Sequence, residues 1–316
     1  MSLRAAIELY VAWRRAHGAR FITSARTLYQ FSKGFPECIC CDAVTEDDIR
    51  RFLAGAGPLT RSRANKYGAL AGFYRYAVSR GHATRSPLPP ADEEPRSPPS
   101  APPYIYSREE LMRLFADINA SRKHATRLDG DTFRTFLLIL YGGGLRTGEA
   151  LNLTMADVDL AAAVLTVRNA KFFKSRLVPV TGRLADSLRA YAERRSARPM
   201  PEGLGSAFLA NRDGTKVRKH NVRHAFVRLL AIVGIDRKDD GRRAPCLHSL
   251  RHTAAVHRLT SWYRDGADVQ RLLPVLSTYL GHANLDDTSV YLSMTPELLH
   301  EASLRFERYA NGAGHE

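Results

Sequence analysis

Half of the prolines in this chain lie in one short segment, and that clustering limits how the chain can fold. Residues 86–103 read SPLPPADEEPRSPPSAPP and contain eight of the sixteen prolines among 316 residues. Proline fixes φ and has no N–H to donate, so this segment cannot form a regular helix or a central strand. We expect an extended, fairly stiff spacer between a smaller domain at 1–85 and a larger one at 104–316.

Both flanking segments are basic, whereas the proline-rich segment is not. Residues 1–85 carry 14 basic and 6 acidic side chains, residues 104–316 carry 32 and 23, and the segment between them has a net charge of −2. The total of +15 predicts a polyanionic partner, nucleic acid first, because phosphate neutralisation supplies most non-specific affinity for nucleic acid. General solubility is the alternative explanation.

Neither a secretory signal nor a transmembrane helix is expected. The N-terminus carries charge inside its apolar pattern, and no run approaches ~18 uninterrupted apolar residues. Four cysteines are too few for a disulfide framework. Cys38, Cys40 and Cys41 are too closely spaced for the usual zinc site, so we interpret them as free thiols. The expected location is the bacterial cytoplasm, in association with the nucleoid.

The first domain has the periodicity of amphipathic helices. Apolar residues recur with helical spacing near the N-terminus, at Leu3, Ala6, Ile7, Tyr10 and Val11. Another helix is predicted to begin at the capping-box pair Thr45 and Asp48. A helical DNA-binding domain is the resulting prediction.

A longer helix is predicted from Pro58 to about Arg80 in the same domain. Its early turns expose four polar side chains, those of Arg61, Arg63, Asn65 and Lys66. Later positions are apolar and can face a core: Leu70, Phe73, Tyr74 and Ala77. A charged helix face is often only solvated. Because the domain is strongly basic, we favour contact of the four polar residues with DNA.

The second domain is predicted to be mostly α with a small antiparallel β-sheet. AVLTVR and RLVPV form a strand pair around the basic turn NAKFFKS. Helical patterns return afterwards, at 183–195, 218–233, 249–264, 268–280 and 296–309.

Three clusters in this domain carry groups suited to phosphate chemistry. In GGGLRTGEAL the glycines permit a bend that delivers Arg146 to the start of a new helix, with Glu149 placed to orient the guanidinium. An ordinary loop is the alternative. In HSLRHT, His248 and Arg251 share one helix face, and such a pair suits a phosphate. His248 and His252 also have metal-ligand spacing, but the flanking arginine would repel a cation.

The third cluster is LGHANLDDTSVYL, in which His282 lies nine residues before Tyr291. Alone, the tyrosine would be a core residue and the histidine part of a turn. In chain order, however, the sequence resembles the tyrosine recombinase (phage integrase) family. The stretch WYRDGADVQRLLPVLSTYLGH is longer than in compact family members and resembles that of recombinases carried by mobile elements. The resemblance covers residues 104–316 and consists of an arginine box, a lysine in a β-hairpin, an H-x-x-R box, an L-G-H box and a tyrosine nine residues later.

The resemblance implies a set of catalytic residues: Arg146, Lys171, His248, Arg251, His282 and Tyr291. The two arginines and His282 would hold the non-bridging oxygens of a phosphodiester, so that no metal or other cofactor is needed. Tyr291 would form a 3′-phosphotyrosyl bond once an electropositive pocket favours its phenolate. Lys171 would protonate the leaving 5′-oxygen, and His248 would carry a proton beside the tyrosine. The chain has Ala170 and Phe172 where the family usually has glycine.

The implied function is site-specific DNA recombination or integration on double-stranded DNA, with two domains closing as a C-shaped clamp and a tetramer on paired sites. Alternatives are a type IB topoisomerase-like enzyme, a catalytically inert DNA-binding accessory protein and a metal-dependent nuclease. The sequence has no carboxylate cluster of the kind that a metal-dependent nuclease requires. Further candidate DNA contacts are Lys174 in the hairpin turn and the start of the basic helix RKHNVRH, namely Arg218 and Lys219.

The predicted C-terminal helix carries an apolar stripe made of Leu299, Ala302, Phe306 and Tyr309. Packing on its own domain is the simpler expectation. The resembled family commonly passes this segment to a neighbouring protomer, and we therefore expect the stripe to link subunits.

Overall fold

The chain divides into two units, Met1–Ser100 and Ala101–Glu316, each with its own apolar core. The computed structural model describes residues 1–54, 61–93, 102–118, 128–168, 175–236, 244–282, 284–293 and 296–312. Within these ranges no helix has both the length and the apolar character that crossing a lipid bilayer requires. Cys38, Cys40 and Cys41 are free thiols, as predicted, and so is Cys246.

The first unit is helical, and its core consists of the residues that the helical periodicity selects. Its helices are α1 (Leu3–Ala16), α2 (Ile22–Ser32), α3 (Glu46–Leu53) and α4 (Arg61–Ser79). The apolar positions predicted on α1 and α4 are all buried. Helix α3 begins with the predicted capping box, in which Thr45 Oγ1 accepts the N–H of Asp48 at 3.2 Å. Helix α2 is the element that the sequence analysis did not identify.

The described start of the proline-rich segment packs on this first unit and does not extend away from it. Leu88 contacts the apolar core, and the Tyr67 hydroxyl donates to the carbonyl of Pro89 at 2.8 Å. A turn follows, in which the N–H of Glu93 donates to the carbonyl of Pro90 at 3.1 Å. The contact of the partly buried Leu88 and the bond from Tyr67 together tie residues 88 and 89 to the first unit.

The second unit is mostly helical with one small sheet, as predicted. Before the sheet lie α5 (Arg108–Ala116), α6 (Gly130–Gly142) and α7 (Thr147–Asn152). The strands are β1 (Val158–Asp159), β2 (Val164–Val167) and β3 (Arg176–Pro179). After it come α8 (Gly182–Ser196), α9 (Lys219–Ile232), α10 (Leu247–Arg264), α11 (Val269–Leu280), α12 (Asp286–Ser289) and α13 (Pro296–Gly312).

The sheet is antiparallel in the order β1-β2-β3. The predicted hairpin is confirmed, with Leu165 of β2 opposite Val178 of β3, and both side chains face the core. The short strand β1 had not been predicted. The tip of the hairpin, residues 169–174, lies outside the described residues, and with it both Lys171 and Lys174.

A small apolar cluster fixes the position of the tyrosine segment. Tyr291 lies in a single 3₁₀ turn, Val290–Ser293, and packs with residues of α10 and α11 such as Val256 and Leu276. Leu298 of α13 completes the cluster and is fully buried. Tyr291 is therefore a core residue by packing as well as a candidate nucleophile, and it faces α10.

Candidate active site

Arg146 lies at the point where the chain turns from α6 into α7. Gly144, with φ of +61°, makes the turn, and Arg146 is the residue that precedes the first residue of α7. Glu149 sits in the first turn of α7 and accepts two hydrogen bonds from Arg146, one from its backbone N–H at 2.9 Å and one from Nη1 at 2.8 Å. The carboxylate thus both caps the helix and orients the guanidinium, as the spacing predicts.

Arg251 lies on α10 and is almost completely buried, with 1% of its surface exposed. Its Nη1 donates to the carbonyl of Gly144 and its Nη2 to the carbonyl of Leu280, each at 2.5 Å. Burial, followed by the nearby Arg146, lowers the pKa of Arg251 to about 10. The guanidinium therefore stays charged at neutral pH, and the two carbonyls fix its plane.

A third arginine, Arg176, joins the site although the sequence analysis did not select it. Arg176 begins β3, and its Nη1 and Nη2 donate to the two carboxylate oxygens of Glu149 at 3.1 and 2.9 Å. Burial opposes ionisation of Glu149, but the hydrogen bonds from Arg176 and Arg146 outweigh it and lower the pKa of Glu149 to about 2. In the sequence, Arg176 is only a basic residue at the start of the second hairpin strand, and such a position does not by itself mark a site residue.

Three consecutive carbonyls at the end of α11 gather the three arginines, and we name them the α11 carbonyls. Those of Tyr279, Leu280 and Gly281 accept respectively from Arg176 Nε, Arg251 Nη2 and Arg146 Nη2. Carbonyls at a helix C-terminus lack intrahelical partners and carry the negative end of the helix dipole. The L-G-H box is thus the structural element that brings together arginines from three other elements.

The hydroxyl of Tyr291 lies inside this group of charges. Tyr291 is 2% exposed, and its hydroxyl lies 2.9 Å from Nδ1 of His252 and is influenced by the positive charge of Arg251. Burial raises the pKa of Tyr291, and the nearby Arg251 and Arg146 offset only part of that effect. We had expected an electropositive pocket to favour the phenolate, whereas in the free protein burial outweighs the arginines and the phenol stays protonated.

His282 follows the α11 carbonyls and stacks beside the tyrosine. Its ring centroid lies 6.1 Å from that of Tyr291, and its Nδ1 lies 2.7 Å from the hydroxyl oxygen of the buried Thr288. Burial, followed by Arg251 and Arg146, lowers the pKa of His282 to about 4. His282 is therefore neutral at physiological pH and can donate a single N–H to an oxyanion.

The two histidines of the H-x-x-R-H segment occupy different positions. His248 is exposed in the first turn of α10, and its ring packs edge-to-face on that of His252, with centroids 4.5 Å apart. His252 is the residue whose Nδ1 is within hydrogen-bonding distance of the tyrosine hydroxyl. The sequence analysis considered His252 only as a metal ligand. In the ranges that the structure describes, no group of three or more potential metal-ligating side chains occurs.

The candidate DNA contacts lie on both units. Arg61 and Asn65 are exposed on α4, and Arg63 is partly exposed there. Lys66 donates to the carbonyl of Phe52 at 2.7 Å and lies over the Phe52 ring, so part of its bonding capacity serves the fold. In the second unit, Arg218 and Lys219 are exposed and line a groove that also includes Gly148 of α7.

Comparisons with known proteins identify the family to which the chain belongs. The phage integrase family pattern matches residues 108–297. The chain is 35% identical over 311 residues to the Sinorhizobium fredii protein y4rB, an integrase/recombinase by its description, with 97% of this chain and 98% of that protein covered. It is 33% identical over 276 residues to the tyrosine recombinase XerA of Thermococcus kodakarensis, with 80% and 84% covered.

Among solved structures, the integrase of transposon Tn1549 in complex with transposon right end DNA has a similar fold. The TM-score is 0.68 at 17% identity, with 98% of this chain and 100% of that chain covered. The family pattern spans the arginine box, the sheet, the H-x-x-R box and Tyr291, and a named tyrosine recombinase is 33% identical over four-fifths of the chain. The chain therefore belongs to the phage integrase family and is an enzyme of the tyrosine recombinase class.

Proposed function

We propose that this enzyme is a site-specific recombinase that cleaves and rejoins DNA strands through a 3′-phosphotyrosyl intermediate. The observation that carries the proposal is the position of the Tyr291 hydroxyl, which lies within the electrostatic influence of the buried Arg251 and 2.9 Å from Nδ1 of His252. A phosphate bound by Arg251 and Arg146 would therefore meet the nucleophile directly. Arg146, with 30% of its side chain exposed, is the more accessible of the two arginines.

The proposed chemistry exchanges one phosphoester for another. Tyr291 Oη attacks the phosphorus, the bond to the 5′-oxygen breaks, and the reverse reaction rejoins the strand. The energy of the phosphodiester is kept in the protein–DNA bond, so neither ATP nor water is required. Lys171, by resemblance to the family, would protonate the leaving oxygen, and His248 would carry a proton nearby.

Fixed positive charge would stabilise the transition state. A phosphorane carries more negative charge than a phosphodiester, and a charge at ~4 Å in an effective dielectric near 20 interacts by roughly 4 kcal/mol. Arg146 and Arg251 are held by carbonyls and by Glu149 before any substrate binds. Such preorganisation avoids reorganisation during the reaction. We therefore propose that no metal ion is needed in the step.

The proposed substrate is double-stranded DNA at specific sites, contacted by residues of both basic units. The Tn1549 integrase, a relative in fold, was solved with transposon DNA, which supports DNA as partner and a mobile element as context. The contacts proposed on the described part of the chain are Arg61, Arg63, Asn65, Lys66, Arg218 and Lys219. Lys174 is proposed from sequence alone. Because the proposed substrate is DNA, we propose that the enzyme acts at the nucleoid, in the cytoplasm.

Apolar side chains exposed on the C-terminal helix support the proposal that several protomers assemble on paired sites. Helix α13 packs on α10 through Leu298 and through Arg264, which binds Glu297 and Glu301. Within the predicted stripe, Leu299 is 51% and Phe306 71% exposed, Ala302 is partly exposed, and the side chain of Tyr309 lies outside the described part of the chain. Two large apolar side chains left exposed favour a partner surface over self-packing. We propose that this stripe joins protomers in a tetramer.

One experiment tests the function. The purified enzyme is incubated with a supercoiled plasmid carrying the chromosomal DNA that flanks its gene, in buffer containing EDTA, and the DNA is resolved on a denaturing gel. We expect a protease-sensitive covalent adduct and recombination between two sites. Relaxation without exchange would indicate a type IB topoisomerase-like enzyme. Binding without an adduct would indicate an inert accessory protein, and EDTA-sensitive cleavage a nuclease.

A further inference from the structure

The phenolic oxygen of Tyr291 lies near a buried guanidinium and an imidazole, two groups of different hydrogen-bonding character. Arg251 can only donate a hydrogen bond, whereas a neutral histidine nitrogen can accept one. The guanidinium of Arg251 therefore cannot take up the phenolic hydrogen of Tyr291. Nδ1 of His252 lies at 2.9 Å, well within hydrogen-bonding distance, and accepts that hydrogen in the tautomer protonated on Nε2.

The backbone of α10 determines this arrangement. Arg251 and His252 are consecutive residues on the helix, so their side chains leave it about 100° apart. Arg251 points into the core, and His252 is partly exposed beside it. The two side chains therefore approach one oxygen from two sides, one with a fixed positive charge and the other with a basic nitrogen.

We propose that His252 accepts the proton of Tyr291 when the tyrosine attacks DNA. This inference rests on the proposed function and adds a catalytic residue to it. In the step, the Oη–P bond forms, the bond from phosphorus to the 5′-oxygen breaks, and the phenolic proton moves to Nδ1 of His252. The leaving 5′-oxygen takes a proton from a separate acid, for which Lys171 is the candidate. Rejoining reverses each transfer, and His252 returns its proton to the tyrosine.

The surroundings of the tyrosine explain why an acceptor is needed there. Burial keeps the phenol protonated in the free protein despite the arginines. The other imidazole beside the ring, that of His282, uses its Nδ1 on Thr288. A phenol that gives up its proton during attack to a positioned base gains about 10²–10⁴-fold in rate.

The same helix provides an internal control for this contact. Nδ1 of His257 lies 2.9 Å from the hydroxyl of Tyr141, so α10 carries a second histidine–tyrosine pair with the same contacting atoms at the same distance. That pair contains neither Arg251 nor Tyr291. A histidine-to-asparagine change at position 257 therefore reproduces the loss of such a pair without touching the reacting oxygen.

The rate test uses a nicked duplex built around the cleavage site mapped on the plasmid, with adduct formation followed in a single turnover. His252→Asn keeps an acceptor oxygen near the position of Nδ1 but cannot take a proton, and His252→Ala removes both. We expect both variants to lose about 10²–10⁴-fold in adduct rate while DNA affinity is unchanged. His257→Asn should stay within a few-fold of the parent enzyme. A His252→Asn variant that cleaves at the parent rate would show that the residue only positions the tyrosine, and would overturn the proposal.

A second measurement needs no DNA and no activity. In protein labelled with ¹⁵N-histidine, the His252 Nδ1 resonance, assigned by its loss in His252→Asn, should have the shift of an unprotonated, hydrogen-bonded nitrogen. It should move when Tyr291 is changed to phenylalanine. A protonated Nδ1, or one insensitive to Tyr291→Phe, would refute the proposal. If no enzyme form cleaves DNA but this contact is observed, the proposed function fails while the hydrogen bond stands.

Discussion

The guanidinium of Arg176 occupies the space in which a side chain at Gly281 would stand. A Cβ at Gly281 would lie 2.8 Å from Nη1 of Arg176, and the φ of Gly281 is +68°. Two physical reasons therefore favour glycine at this position of the L-G-H box. The backbone that ends α11 is left-handed, and an arginine that holds Glu149 approaches closely.

We expect Gly281→Ala to destabilise the second unit by about 2–4 kcal/mol, from left-handed strain plus the clash with Arg176. Gly266→Ala is the matched control, because its φ is also +68° and nothing lies within 4 Å of the added carbon. Gly266→Ala should lower the free energy of unfolding only by the left-handed backbone strain, about 1 kcal/mol. Urea denaturation measures both, and equal losses for the two variants would contradict the role of Arg176.

Arg176 and Glu149 should behave as one energetic unit. Both side chains are about nine-tenths buried, and removing one partner leaves a buried charge, at a cost of about 3–5 kcal/mol. We expect the double variant Arg176→Gln, Glu149→Gln to lose less free energy of unfolding than the sum of the losses in the two single variants. The difference should be about 1–3 kcal/mol. The exposed pair Arg189 and Asp186 is the control, with coupling of about 0.5 kcal/mol or less. Additive losses at positions 176 and 149 would argue against the ion pair.

The lowered pKa of Glu149 predicts a specific pH dependence of stability. A carboxyl whose pKa falls from its usual 4.5 to about 2 on folding stabilises the fold above the unfolded value, by about 3 kcal/mol. That contribution is lost as the pH falls through the folded pKa. The stability difference between the parent enzyme and Glu149→Gln should therefore be constant from pH 7 to about 5 and shrink toward pH 2.

The exposed Glu193 on α8 provides the comparison for this pH measurement. Its change to glutamine should alter the free energy of unfolding by less than about 0.5 kcal/mol at any pH. A difference for Glu149→Gln that does not vary between pH 5 and pH 2.5 would mean that the carboxylate is not held ionised by the arginines.

The change Tyr291→Phe should abolish covalent adducts and leave DNA affinity unchanged. The substitution removes only a hydroxyl, and the net charge of +15 stays the same. Denaturing gels and a filter-binding titration measure the two properties. Tyr279→Phe is the control, because Tyr279 lies next to the same arginines but contributes its carbonyl rather than its hydroxyl to Arg176. Adducts that persist in Tyr291→Phe and vanish in Tyr279→Phe would identify Tyr279 as the nucleophile.

The exposed stripe of α13 should act in assembly and not in folding. We expect the double variant Leu299→Ala, Phe306→Ala, like truncation after Thr295, to bind one DNA site normally and to lose pairing of two sites. Burial of each side chain against a partner is worth about 1.5–3 kcal/mol. Leu298→Ala is the contrasting control, because Leu298 is fully buried and its loss should cost about 2–5 kcal/mol of fold stability.

Native gels with two-site DNA and thermal unfolding separate the two roles of α13. Normal recombination by the Leu299→Ala, Phe306→Ala variant would show that the stripe is not the link between protomers. Loss of solubility in that variant would instead indicate packing on its own unit.

The sequence by itself determined most of the helices, the hairpin and the residues able to do phosphate chemistry. The burial of Leu70, Phe73, Tyr74 and Ala77 follows directly from their spacing on one helix. The pairing of Glu149 with Arg146 is equally local, because the first turn of a helix brings the two together. Periodicity and capping act over a few residues, and a sequence records such distances directly.

Only the tertiary structure decided how these residues act together. The bond from Arg146 to the carbonyl of Gly281 joins positions 135 residues apart, and that from Arg176 to the carbonyl of Tyr279 joins positions 103 apart. Neither carbonyl has a side-chain signature in the sequence. His252 likewise contacts Tyr291 across 39 residues because α10 and the 3₁₀ turn pack in one apolar cluster. Backbone acceptors and packing partners depend on where helices end in space, which no local spacing specifies.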